Sequence, residues 1–243
     1  MIAEKLTAVA EKLPQVYTAG QERGFEQGKH AERTDFWSRL QQLGNRTNYQ
    51  YAFRGDGFDF DNFYPRYPLY PTNAEMMFYN WTVGNCEGSL KARLEEQGVV
   101  LSTVNAKNMG NIFAYSRFTE LPAVNVTGVT ANTAYYIGNL FAYCRILTSI
   151  DKIILNENTQ YQSWFAGNTE LAELRIQGVI GQSGFDFTQA KRLSHDSLMS
   201  IINALKDYSG DTTARTLTLG ETHLAKLSDA EKAIATGRGW TLA

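Results

Sequence analysis

Acid–base, thiol or metal chemistry in this chain would have to be built from few side chains. These are His30, His195 and His223, Cys86 and Cys144, and the adjacent glutamates Glu95-Glu96. The histidines are scattered and lack the spacing of metal ligands. Neither cysteine sits in a C-x-x-C or C-x-x-x-H arrangement, so each is expected to be a small buried residue rather than a nucleophile or ligand. A Gly-x-Ser-x-Gly elbow, a phosphate-binding loop and a dinucleotide fingerprint are all missing from the sequence. A glycan-active enzyme would need paired carboxylates in a cleft, whereas Glu95-Glu96 falls on what reads as an exposed helix. The expectation is a protein that is no enzyme, with no cofactor and no catalytic or metal site.

Two clusters could bind without reacting. Asp56, Asp59 and Asp61 lie among glycine and aromatics, an oxygen-rich composition that can hold calcium. Their spacing is not that of an EF-hand loop, and a solvated turn explains them as well. Between residues 45 and 71, tyrosines and phenylalanines crowd among Gly, Asp, Asn and Pro, and Tyr49, Tyr51, Tyr67 and Tyr70 form a candidate aromatic platform for a sugar. The simpler reading has these rings plugging the open end of a core. Exposure decides between the two.

The 243 residues are 43% hydrophobic and 20% charged, enough to bury a substantial core. A formal net charge of −2 provides no field that would draw the chain to phosphate backbones or acidic lipid, so nucleic acid is not an expected partner. The first residues carry charges every few positions and lack the apolar run of a signal peptide. No stretch reaches the roughly 18 apolar residues of a membrane span, so no membrane insertion is expected.

Four segments follow from patterning. Residues 1–44 read as an N-terminal helical segment, with Ile2, Leu6, Val9, Leu13 and Val16 on one face and a break at Pro14. Gly20, Gly24 and Gly28 recur at steps of four on the second helix, a stripe suited to close packing, so residues 1–43 are a candidate homo-oligomer contact. Residues 45–72 read as an aromatic-rich N-terminal cap, irregular because of Pro65, Pro68 and Pro71.

Residues 73–193 repeat themselves. One copy has Phe165, Asn168, Leu171, Leu174 and Ile176; another has Phe141, Cys144, Leu147, Ile150, Ile153 and Leu155. A third runs Phe113, Ser116, Phe118, Leu121, Val124 and Val126, while Phe187, Ala190 and Leu193 begin a last one and Phe78 a degenerate first. Alternating apolar residues such as Val124-Asn125-Val126 and Leu174-Arg175-Ile176 suit very short strands. One such coil cannot bury its own apolar edge, but stacked copies can, with Phe over Phe and Leu over Leu. The third position, held by Ser116, Cys144, Asn168 and Ala190, calls for a small residue. Residues 194–243 read as a C-terminal α/β cap: a helix capped by Ser194, a strand at Thr216-Leu219, a helix with Ser228 and Glu231 in capping-box spacing and Gly237 as its stop, then Trp240-Thr241-Leu242.

The repeat resembles the BspA-like leucine-rich repeats through Phe141-Ala142-Tyr143-Cys144 with Leu147 and Ile150, and through Phe165, Leu171, Leu174 and Ile176. A wider likeness, to proteins encoded in phages and prophages of gut bacteria, rests on several strings. They are Phe36-Trp37, Gly44-Asn45-Arg46-Thr47, Tyr51-Ala52-Phe53, Tyr70-Pro71-Thr72-Asn73-Ala74, Leu94-Glu95-Glu96-Gln97-Gly98-Val99-Val100-Leu101 and Gly239-Trp240-Thr241-Leu242. It covers most of the chain from about residue 17. The resemblance implies an α/β solenoid of irregular leucine-rich repeats with short parallel strands on one face. It implies binding to a protein or cell-surface glycan, as in adhesion by a phage tail-associated or host-surface recognition protein. Such a protein would be cytoplasmic when made and virion-associated after phage assembly. An intracellular assembly or regulatory scaffold docking through its N-terminal helices is the alternative. Asn125, Ile154 and Arg175 are expected to point out of the strand face, with Lys152 and Glu173 beside the strands.

Overall fold

Period-two apolar patterning is realised as short strands that, among the described residues, pair in parallel. The computed structural model describes residues 47–54, 63, 65, 68–80, 87–129 and 134–243. The N-terminal helical segment 1–44, Cys86, Tyr67 and the loop carrying Asp56, Asp59 and Asp61 lie outside these residues. In chain order the elements are β1 (Gly88–Ser89), α1 (Leu90–Glu96), β2 (Phe118–Leu121), β3 (Val124–Asn125), α2 (Ala134–Ile137), β4 (Ser149–Leu155) and β5 (Glu173–Gly178). Then follow α3 (His195–Asn203), β6 (Arg215–Leu217), α4 (Glu221–Leu224), α5 (Asp229–Gly237) and β7 (Trp240–Leu242).

The molecule is an α/β fold built on a curled parallel sheet with a few helices. β1 pairs with β2, β2 and β3 lie along one edge of β4, and β5 lies along the other. The register sets Leu121 beside Ile150, Val124 beside Ile153, Ile150 beside Leu174 and Ile153 beside Ile176, which are corresponding positions of the three clearest copies. Single parallel bridges continue the pairing at Asn48 with Asn73, Asn73 with Asn108, Leu69 with Leu101, Ile180 with Leu205 and Asp186 with Thr218. β6 and β7 form a second parallel pair. Parallel neighbours need a long crossover, and the β1–β2, β3–β4 and β4–β5 crossovers each carry one of the phenylalanine-centred turns, at Phe113, Phe141 and Phe165.

Those phenylalanines form a row. Phe53, Phe78, Phe113, Phe141, Phe165 and Phe187 are fully buried. Successive rings stand 5.3, 5.5, 5.9, 5.7 and 4.7 Å apart, with planes within 24° of parallel. Burying each ring is worth roughly 1.5–3 kcal/mol relative to leaving it in water, so the row is a main source of cohesion. One connected core runs from Tyr49 to Trp240. The row starts one turn earlier than the apolar spacing suggests, at Phe53 inside the segment read as an irregular cap.

The backbone repeats around the rings from Phe53 to Phe165. Positive φ occurs two residues before the phenylalanine at Tyr51, Met76, Asn111, Asn139 and Ser163, and two residues after it at Asn80, Tyr115, Tyr143 and Gly167. This tight shape lets each turn hydrogen-bond to the next: Phe78 N–H donates to Ile112 O at 2.8 Å, Phe113 N–H to Leu140 O at 3.0 Å, and Tyr143 N–H to Ala166 O at 2.6 Å. Three turns also begin on an asparagine whose Oδ1 accepts the N–H two residues on: Asn48 from Gln50, Asn73 from Glu75 and Asn108 from Gly110.

Helix α3 closes the sheet edge. Ser194 caps it by accepting from Ser197 N–H, as its position predicts. Ser197 Oγ accepts Leu174 N–H at 2.9 Å, and Ser200 Oγ accepts Ile176 N–H at 2.9 Å. These hydroxyls replace the carbonyls of a further strand on β5. At the far end of α3, Arg238 Nη1 donates to Ile202, Asn203 and Leu205 carbonyls at 3.3, 2.9 and 3.0 Å. Helix α5 has the full Ser228/Glu231 capping box and ends at Gly237. The Ser228 amide and hydroxyl hold the Glu231 carboxyl below its ordinary value, with His195 adding to the effect.

Candidate binding surfaces

Of the residues named for the strand face, Asn125 lies in β3, Lys152 and Ile154 in β4, and Glu173 and Arg175 in β5, so Lys152 and Glu173 are within the strands and not beside them. Asn125 pairs with Ile154, Ile154 with Gln177, and Ser149 with Glu173. Asn125 and Ile154 are half-buried, Lys152 likewise, and Glu173 and Arg175 are exposed. Their availability differs. Asn125 Oδ1 is occupied by the Thr127 N–H and hydroxyl at 2.9 and 2.7 Å, and the Thr103 hydroxyl accepts from and donates to the Asn125 backbone. Glu173 Oε2 accepts the hydroxyls of Ser194 and Ser197 at 3.0 and 3.4 Å. Lys152 and Arg175 form no ion pair among the described residues, and neither does Asp151 beside Lys152, so all three charges are available.

Sequence reasoning missed the order beside them. Ser89, Glu120, Ser149 and Glu173 follow one another across the sheet in register. Ser89 Oγ donates to Glu120 Oε2 at 2.5 Å, and α3 extends the alternation with Ser194 and Ser197. Two strand spacings put Glu120 and Glu173 about 10 Å apart. Both carboxylates are engaged by serines on an open surface, not poised in a cleft. Nearby, Lys91 pairs with Glu95 at 3.0 Å and is held above the usual lysine range by Glu95, with Asp151 and Glu120 contributing.

The expected aromatic platform is divided. Tyr49 is 1% exposed and packs beside Phe53, so it is a core residue: its position next to a turn asparagine turns the ring inward. Tyr51 and Tyr70 are on the surface, 40% and 48% exposed. A second set of tyrosines lines the turns instead. Tyr115 and Tyr143 stack at 4.8 Å with planes 19° apart, and Tyr79 meets Tyr115 edge-on at 5.6 Å. The Arg54 guanidinium lies 5.5 Å from the Tyr79 ring and 5.7 Å from the Tyr51 ring. The signal in the sequence was Tyr115 and Tyr143, each two residues past its phenylalanine.

Among the described residues, Cys144, His195 and His223 are each held by hydrogen bonds. Cys144 is buried, donates through Sγ to Phe113 O at 3.0 Å, and its thiol is pushed up to about 11 by burial, which leaves it protonated at neutral pH. His223 is buried with Nδ1 2.8 Å from Leu219 O, and burial lowers its pKa. His195 is bound to Glu231 at 2.8 Å, joining α3 to α5. Glu95 and Glu96 are exposed on α1, as expected. Among the described residues, no group of three or more His, Cys, Asp or Glu side chains is placed to hold a metal ion. A cleft of about 610 Å³ lies beside β7 and α5, where the polar side chains are Lys232, Thr236 and Thr241, a set without an acid–base pair. No helix among the described residues is long and apolar enough to cross a membrane. Compared with family models, curated proteins and solved structures, the chain matches none.

Proposed function

We propose that this chain is a solenoid of irregular BspA-like leucine-rich repeats that binds rather than catalyses, as a phage tail-associated or host-surface recognition protein. The observation that carries the reading is the in-line stack of Phe53, Phe78, Phe113, Phe141, Phe165 and Phe187, flanked by parallel pairing in matching register. Stacked coils present extended, shallow surfaces, which suit recognition of large partners better than enclosure of a small substrate. The open sheet face, with Lys152 and Arg175 available, is one such surface. Committing Cys144, His195, His223, Glu120 and Glu173 to structural hydrogen bonds agrees with a role that does no chemistry.

The test uses the purified full chain, fluorescently labelled, on intact gut bacterial cells, with mass spectrometry of purified phage particles alongside. Saturable cell binding weakened by Lys152→Glu/Arg175→Glu, together with peptides of this chain in the particles, is the expected result. Absence from the particles together with no cell binding ends the proposal, and so does release of new reducing ends from envelope glycans by the protein.

A further inference from the structure

The turn side of the molecule carries a surface separate from the sheet. Tyr51, Arg54, Tyr79, Tyr115 and Tyr143 belong to consecutive turns, and the Tyr143 ring rests on Gly167, whose N–H is held by Gln189 Oε1 at 2.6 Å. The near-parallel rings of Tyr115 and Tyr143 cover each other's faces, yet both residues remain 40% and 41% exposed. What solvent meets is therefore a line of ring edges and phenol hydroxyls. The hydroxyls of Tyr51, Tyr79, Tyr115 and Tyr143 have no hydrogen-bond partner among the described residues. A phenylalanine would stack equally well, so the column itself does not require them.

The charge on this line is positive. Arg54 sits over two of the rings, and ring edges carry the positive end of the aromatic quadrupole. Arg145, exposed two residues past Tyr143, forms no ion pair among the described residues. Arg117 holds the equivalent place after Tyr115 and is paired with Glu87.

We infer that this tyrosine–arginine stripe binds an acidic polysaccharide, one whose sugars carry carboxylates, along the stacking direction of the turns. The inference rests on the binding-module reading and names the ligand class for a different face. The ring centroids recur at 5.6 and 4.8 Å, about the length of one pyranose residue, so a regular sugar polymer can repeat its contacts turn by turn. An extended peptide offers same-side groups only every 6.6–6.8 Å or so and falls out of step. Nucleic acid bases need free ring faces, which the column has closed.

The experiment is calorimetric titration of the full chain with hexagalacturonate, with maltohexaose as the neutral and hexaglutamate as the peptide control. Hexagalacturonate is expected to bind, with affinity falling about tenfold or more in Tyr115→Phe/Tyr143→Phe and in Arg145→Gln, and falling as salt is raised. The double phenylalanine variant keeps the stack, so its melting temperature stays at the wild-type value. No binding of hexagalacturonate, equal binding of either control, or wild-type affinity in the variants overturns the inference. Cell binding that survives the tyrosine variants but not the Lys152/Arg175 pair sinks the stripe and leaves the recognition reading standing. Hexagalacturonate binding without any cell binding does the reverse.

Discussion

At the scale of single residues, the small position three after Phe113, Phe141 and Phe165 is a set of contacts between turns. Ser116 Oγ and Cys144 Sγ lie 3.4 Å apart, and Cys144 N–H donates to Asn168 Oδ1 at 3.2 Å. Apolar spacing made the need for a small residue legible, because the position alternates with buried rings. That these residues bond to one another was not legible, since Ser, Cys, Asn and Ala share size and not chemistry. The left-handed residues were hidden for a similar reason: tyrosine, methionine and serine fill them as well as asparagine does. Gly167 is the member of this series that geometry makes irreplaceable. Its φ is +74°, and an added Cβ would stand 2.7 Å from Tyr143 Cδ1 and 3.2 Å from Tyr143 Cα. Left-handed backbone costs a non-glycine residue roughly 1–2 kcal/mol, and displacing the ring adds to that. Gly167→Ala should therefore lower the denaturant-unfolding free energy by about 2 kcal/mol or more. A loss under about 0.5 kcal/mol would mean that Tyr143 does not rest on this backbone.

At the scale of elements, α3 shows where sequence patterning reads the right helix for an incomplete reason. Leu198, Ile201 and Ile202 mark its buried face and Ser194 its start, and both are as the sequence indicates. Its serines look like a polar face turned to water. Instead Ser197 and Ser200 accept the edge amides of β5, so the helix supplies hydrogen bonds that a missing strand would have made. An open parallel edge is a template for aggregation, and this helix removes it. The effect of Ser197→Ala separates the two readings by sign. Helix propensity alone predicts a gain of a few tenths of a kcal/mol, since alanine is the better helix former. Loss of the partner of a buried Leu174 amide predicts a net loss of about 1–3 kcal/mol. Thermal or urea unfolding of Ser197→Ala against the exposed control Asn203→Ala measures the difference. The control should stay within about 0.5 kcal/mol of wild type.

At the scale of the whole molecule, the phenylalanine row was legible because its interval survives loops of different length between copies. Phe53 was obscured, since the surrounding Tyr, Gly and Pro composition reads as an irregular plug. The tyrosine stripe escaped because surface aromatics one or two residues from a core ring have no periodic partner within a single copy; only stacking the copies aligns them. If the molecule is a stack of turns, energetic coupling should run between neighbours and fade along the row. Phe113 and Phe141 are in contact at 5.9 Å, whereas Phe53 and Phe165 are separated by the rings between them. Leucine at any of these sites keeps an apolar side chain and should cost roughly 1–2 kcal/mol, small enough for the variants to fold. The Phe113→Leu/Phe141→Leu cycle should then show a coupling of about 0.5–1.5 kcal/mol, the range of stacked aromatic pairs. The Phe53→Leu/Phe165→Leu cycle should be additive within about 0.5 kcal/mol. Equal coupling in both cycles would mean a core that responds as one body, and stacked turns would no longer describe how this chain holds together.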